Sequence, residues 1–386
     1  MPLALLEHVN LNVLDREQAL AFYVTGLGGV LNPNTTNDRQ LHVNVGASQF
    51  HLLLKSSFAS GVQPVSAAQV WAGHMELWSR EELEAIQQRL TSLGFSWNRE
   101  EASPASGGRP HLLCSCPWGN RYIVRTAPTS FNHAAQGSHP GGSGTLVALT
   151  RCVQLVRPGA AARLHAFWEM ALGATSELVQ NKRPDGSTHS HCVVRFSSGQ
   201  QLIFDERDDA PPADAYDCEE RSAYHLAIYV DHMDAYRTAF SACEAIGCLY
   251  ANPRFAAAPP EFGNAMEWEK VQACGQFRIK DMGVTPEAAD ADRAALVLEV
   301  EVRSVMHRSC PLSRKDIAAG GGELAVPSAF ANCSPLKPPP HEKPGIIRIP
   351  HGRGGFGQPA RELAEKHADK VGGAGGAAGS SSSQPR

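Results

Sequence analysis

Polar and apolar residues alternate along His8-Val-Asn-Leu-Asn-Val. The pattern returns in His74-Met-Glu-Leu-Trp, Cys152-Val-Gln-Leu-Val and His225-Leu-Ala-Ile-Tyr-Val. Alternation of this kind predicts β-strands. A stretch with helical periodicity follows each of them, carrying for example Leu83, Ile86, Leu90 and Leu93, or Leu164, Phe167 and Leu172. Each stretch runs to a glycine (Gly28, Gly94, Gly173, Gly247), the residue that a helix end favours where φ turns positive. From strand opener to glycine the spacing is 20, 20, 21 and 22 residues, so the unit keeps its length. Three further strands are expected in each unit: around Leu31–Asn32, Gln40–Val45 and Gln49–Leu54 in the first, and Leu249–Asn252, Gln276–Asp281 and Leu296–Arg303 in the fourth. The pattern is β-α-β-β-β, four times over. Odd units share an aromatic pair before the glycine, Phe22-Tyr23 and Phe167-Trp168, which suggests that a two-unit domain was duplicated.

Composition divides the chain. Residues 319–386 hold 13 Gly and 9 Pro with two aromatic residues, Phe330 and Phe356, too little apolar surface to offset the entropy of ordering. Between Thr126 and Thr145 the residues are those of a flexible linker. The expected organisation is residues 1–126 as a first domain, 127–145 as a linker, 146–310 as a second domain and 311–386 as a disordered tail.

A net charge of −4 lacks the basic face that nucleic-acid binding requires. No run approaches the roughly 18 to 20 apolar residues of a membrane span. Met-Pro-Leu-Ala-Leu-Leu-Glu-His leads straight into the first strand, leaving no room for a signal peptide. The ten cysteines are therefore expected as reduced thiols in the cytoplasm. Cys243 and Cys248, near zinc-site spacing, have no second pair to complete them.

Four motifs carry a resemblance to a known family: His8 in Glu-His-Val-Asn-Leu, Phe-Tyr before Gly-Leu-Gly-Gly, His74 in Gly-His-Met-Glu-Leu, and Trp-Gly-Asn-Arg-Tyr. Together they resemble the vicinal oxygen chelate superfamily, which includes glyoxalase I, extradiol dioxygenases and bleomycin- and fosfomycin-resistance proteins. The resemblance spans residues 4–303 and implies an α+β fold, with paired βαβββ units cupped around a divalent metal. Two such domains in tandem are expected. It also implies a small-molecule substrate whose adjacent oxygens bind the metal, and ligands from the first and last strands of paired units.

Carried onto this sequence, His8 and His74 take the two first-strand positions of the first domain, and His51 the last-strand position of its first unit. Ile123 stands where the family usually has Glu, with Arg121 and Arg125 on the same strand face. Three imidazoles and water would suit zinc, iron, nickel or manganese. The alternative is a degenerate cup in which Arg121 replaces the metal's charge and the arginines hold an anion. In the second domain Cys152 replaces the first histidine, Ile203 aligns with His51 and Asp205 lies two residues further on. His225 keeps its place, and Glu299, or Glu301 on the same face, is the candidate carboxylate. Asn10, Asn12 and Glu76 should face the first cup, with Glu76 a candidate base. His189 and His191 alternate on one strand face and are read as ordinary strand residues. Gly141-Gly142-Ser143-Gly144 lacks the Lys-Ser/Thr of a phosphate loop.

These readings favour a metal-dependent lyase, isomerase or ring-cleaving dioxygenase acting on a small oxygen-rich or glutathione-conjugated substrate. A non-catalytic sequestering protein is the alternative, and a third reading makes the second domain a scaffold or a homodimer contact.

Overall fold

The computed structural model describes residues 3–312, apart from 59–60, 103–108, 133–136, 183–187, 216–223, 256–264, 285–293 and 308. The expected disorder of the tail lies outside the described residues. All four units are present. The first runs β1 (Leu3–Asn12), α1 (Arg16–Ala19) continuing through a wide π-helical turn (Leu20–Gly26), β2 (Val30–Leu31), β3 (Gln40–Val45) and β4 (Ser48–Leu53). A hairpin, β5 (Lys55–Phe58) and β6 (Gly61–Pro64), follows it. The second unit has β7 (Gly73–Ser79), α2 (Leu83–Ser92), β8 (Trp97–Glu100), β9 (His111–Ser115) and β10 (Arg121–Thr126). The third has β11 (Leu146–Val156), α3 (Ala160–Leu172), β12 (Thr175–Lys182), β13 (Thr188–Arg195) and β14 (Gln201–Glu206). The fourth has β15 (His225–Val230), α4 (Met233–Ile246), a helical turn at Pro253–Phe255, α5 (Trp268–Cys274), β16 (Gln276–Ile279) and β17 (Glu299–Ser304). Its second strand is reduced to a bridge between Leu249 and Ile279. Gly28, Gly94, Gly173 and Gly247 all have positive φ, as the repeat requires.

The strands pair across the halves. One sheet has the order β16-β17-β15-β1-β4-β3-β2, joining the first unit to the fourth; the other has β12-β13-β14-β11-β7-β10-β9-β8, joining the second to the third. Helices do the opposite, since the π-helical segment packs on α2 and α3 packs on α4. Sequence neighbours thus share a helix layer and a core, while each sheet is made by exchange. The repeated aromatic pairs form that core: Phe22, Tyr23, Phe167 and Trp168 are at most 1% exposed. Burying such a side chain contributes about 1.5–3 kcal/mol. Tyr23 and Tyr122, from the first two units, join hydroxyls at 2.7 Å.

β1 and β11 share a second repeat detail. Register slips fall between Leu3 and Leu5 and between Leu6 and His8 in β1, and between Leu146 and Ala148 and between Leu149 and Arg151 in β11. Each slip is a β-bulge, which places one extra residue and re-aims the side chains beside it. The two strands approach each other there. The Gln200 amide donates to the carbonyls of Leu6 and Leu149 at 3.0 and 2.9 Å and to Ser48 Oγ at 2.9 Å, and its oxygen accepts from the Leu6 N–H at 2.9 Å.

The segment between the halves departs from the flexible linker its composition predicts. Asn44 Nδ2 donates to the carbonyls of Pro140 and Gly142 at 3.0 and 2.9 Å, and the Thr145 N–H donates to Gly28 O at 2.9 Å. His139 is buried, with Nε2 3.1 Å from Ala47 O. Specific backbone hydrogen bonds, which composition does not report, hold the described part of this segment on the first unit.

Candidate metal centre in the first cup

The middle of the first sheet lays β4, β1, β15 and β17 side by side. In register, His8 stands opposite Ala227, with Glu301 on the far side of that alanine; Asn10 lies between His51 and His225. The small side chain of Ala227 leaves room between His8 and Glu301. His8 Nε2 is 3.0 Å from His225 Nε2, and Glu301 Oε2 is 3.7 Å from the latter. One ligand atom from each of the three lies within 4.8 Å of the other two. All three residues are at most 3% exposed. The His51 ring stacks on His8 at 3.7 Å while its Nε2 meets Gln49 Oε1 at 2.9 Å, and His42 packs on His51 at 3.9 Å. Burial, reinforced by the other imidazoles, pushes His42 down to about 3 and His51 well below the usual histidine range, so both are neutral.

Glu7, carried by the bulge, supports His8. Its Oε2 accepts from His8 Nδ1 at 2.5 Å and from Arg303 Nη1 at 2.9 Å, and its Oε1 lies 3.3 Å from His139 Nε2. Burial alone would raise the Glu7 carboxyl, but His8, Arg303 and His139 outweigh it and hold the group at about 2. An ionised carboxylate on Nδ1 turns the other ring nitrogen toward His225, the second-layer arrangement of metal-binding histidines.

Of the two carboxylates weighed from sequence, Glu301 joins the histidines. Glu299 is taken by Asn252 Nδ2 at 2.7 Å and by Arg278. Glu301 accepts from Arg278 Nη2 at 2.9 Å and from Arg303 Nε at 2.6 Å. Burial opposes its ionisation, but the two guanidiniums hold it well below the usual carboxylate range.

The second cup differs at most of the corresponding positions, with Glu76 in the register of Ala227. Arg151, opposite Glu76 and beside Gln201, holds the register of His8; Val153 holds that of Asn10, Ile203 that of His51 and Ile123 that of Glu301. His74 matches His225. Cys152 matches Val9 rather than the first histidine: both strands carry the same bulge, and the expected alignment of Cys152 with His8 was one residue late. Glu76 Oε1 lies 3.4 Å from Arg151 Nη1 and 3.8 Å from His74 Nε2, and its Oε2 lies 3.8 Å from Arg125 Nε. Arg121 Nε donates to Gly73 O at 3.1 Å.

The residues selected from sequence are therefore divided. His8, His51, His225 and Glu299 stand in the first cup, and His74, Glu76, Arg121 and Arg125 in the second. The expected juxtaposition of His8 with His74 does not occur, because β1 pairs with β15 and β7 with β11. Sequence reading missed Glu7, His42 and Arg151. His42 was open to it, facing His51 across two adjacent predicted strands; Glu7 depends on a bulge that no residue pattern announced, and Arg151 is hidden when Cys152 is aligned with His8.

No protein-family model matches the chain, and no curated protein does. Among solved structures, glyoxalase I from Zea mays aligns over 78% of this chain and 92% of its own at 14% identity, with a TM-score of 0.45. Lactoylglutathione lyase from Agrobacterium tumefaciens aligns over 33% of this chain and 96% of its own at 18% identity, with a TM-score of 0.26. With four βαβββ units paired into two mixed sheets, and first and last strands adjacent at the centre of each, the chain has the α+β architecture of paired units that its sequence predicts.

Proposed function

We propose that the first cup is the metal centre of an enzyme acting on a small oxygen-rich or glutathione-conjugated substrate, with His8, His225 and Glu301 as ligands and His51 beside them. The observation that carries this reading is the approach of two buried imidazole nitrogens to 3.0 Å beside a carboxylate. Two ligands about 2.1 Å from one ion stand about 3.0–3.4 Å apart, so the donor set fits. Zinc, iron, nickel and manganese all suit two imidazoles and a carboxylate. A divalent ion held there supplies Lewis acidity or oxygen activation for two adjacent substrate oxygens. Glu7 orients His8, Arg278 and Arg303 keep Glu301 ionised, and Asn10, bonded to Gln40 Nε2 at 3.1 Å, is placed beside the ligands to hold substrate. Either a lyase or isomerase step or a ring-cleaving dioxygenation is compatible with this set. Glu76 belongs to the other cup and is not assigned as base for this one.

A second reading is a sequestering protein without catalysis. Both oxygens of Glu301 already accept from arginine, so the guanidiniums could stand in for the metal's charge. The second cup, with Arg121, Arg125 and Arg151, would take an anion on either reading. A homodimer is not needed to complete either cup, since the two halves already supply both sides of each. The described residues include no helix long and apolar enough to cross a membrane. Seven of the described cysteines are buried free thiols, which suits the expected cytoplasmic location.

Metal content by mass spectrometry on the full chain tests the proposal. Wild type is expected to retain a metal ion that His8→Ala/His225→Ala loses and His74→Ala keeps. A wild type that takes up nothing in the first cup after reloading with zinc, iron, nickel and manganese overturns the metalloenzyme reading in favour of sequestration.

A further inference from the structure

The second sheet carries another convergence of donors, away from the positions compared above. β13 and β14 run antiparallel with His191 directly opposite Asp205, and His189 lies two residues along on the same face. His189 Nε2 is 2.8 Å from Asp205 Oδ1, and the two imidazole rings are 6.1 Å apart. One ligand atom from each of the three lies within 4.8 Å of the others. The side chains of His189 and Asp205 are 20% and 23% exposed, so water and ions reach them. Ile203, one rung inward, holds the register of His51. The cluster is thus not a displaced copy of the first-cup set: Asp205 and His191 hold the registers of Leu53 and Gln40 in the first sheet, where no ligating side chain stands.

We propose that His189, His191 and Asp205 form a second, solvent-open site for a divalent transition metal, with water completing the coordination. Two imidazoles and a single carboxylate select zinc and its neighbours over calcium or magnesium, which favour shells of oxygen. The 2.8 Å separation of His189 and Asp205 is close to that of two ligands on a common ion. Ligands borne on a hydrogen-bonded strand pair are held with little freedom, so the ion meets a site that is largely formed.

The test uses the full-length chain stripped with chelator and titrated with zinc and, separately, with cobalt. His8→Ala/His225→Ala protein is expected to bind one zinc ion and, with cobalt, to develop the visible absorption of a nitrogen- and oxygen-ligated ion. Adding His189→Ala/His191→Ala should abolish both signals, and Asp205→Asn should weaken zinc binding at least about tenfold. His191→Gln, which keeps size and polarity, serves with circular dichroism as the control for folding. Zinc stoichiometry in the His8→Ala/His225→Ala background that is zero, or that does not respond to His189, His191 and Asp205, overturns the proposal. The two sites fail separately: loss of the first-cup proposal alone leaves wild type with one ion, removed by the His189 and His191 substitutions.

Discussion

Glu7 precedes His8, and strict alternation would send the two side chains to opposite faces of the sheet; the bulge between Leu6 and His8 brings them together. Glu7→Gln should leave the fold intact and weaken metal binding in the first cup about 10- to 100-fold, read by competition with a chromophoric chelator. An unchanged affinity would mean that the carboxylate does not support the ligand. In the second cup burial opposes the ionisation of Glu76, but the hydrogen bond with His74 and the charges of Arg151 and Arg125 hold its carboxyl below the ordinary 4.5. A carboxyl lowered in the folded state contributes stability above its unfolded pKa and loses it as pH falls through the folded value. Wild type should therefore lose stability more steeply than Glu76→Gln below about pH 4.5, by up to about 1.4 kcal/mol per pH unit for one proton. Urea midpoints between pH 6 and pH 3 measure this, and parallel curves would show that the ion pairs add nothing. Face was legible where parity holds: His8, His51, His225, Glu299 and Glu301 lie on one face of the first sheet, although the sequence divided them between two domains. It failed at Cys152 and Arg151, because strand periodicity fixes no register between repeats and an alignment one residue late exchanges the two faces.

Elements were easier to read than their partners. The four strand openers, their helices and the closing glycines stand where alternation and spacing put them, since those signals are local. Strand pairing is not local. The helix layers join consecutive units and the sheets join units one and four and units two and three, and the same apolar faces would satisfy either pairing. Close backbone approaches record the pairing actually made. A Cβ on Gly73 would stand 1.9 Å from Val153 O, and the glycine has φ +142°. Gly73→Ala should cost more than about 2 kcal/mol by urea denaturation, since the obstruction is backbone of the partner strand. A loss within about 0.5 kcal/mol would mean that β7 and β11 separate there easily. The hydroxyl pair of Tyr23 and Tyr122 tests the sequential contact instead. Each single change to Phe leaves a buried hydroxyl short of a partner, and the double change removes both, so the double variant should be more stable than the summed single losses imply. Strict additivity would mean that the hydroxyls do not couple.

For the molecule as a whole, exchange of strands makes the halves inseparable without unfolding. A protease site placed within residues 133–136 should yield two fragments that co-elute in gel filtration, because the pairings β1 with β15 and β7 with β11 both cross the cut. Fragments that part without denaturant would contradict the pairing. The exchange also bears on how such a chain can change over time. Were the same sheets made by two identical two-unit chains, one gene would specify both cups, and a substitution useful to one would be forced on the other. Joined end to end, the two halves are separate genetic texts: one has histidine at residue 8 while the other has arginine at residue 151 in the same register. Each cup is nevertheless bounded by both halves, so the two can specialise but neither half can be discarded.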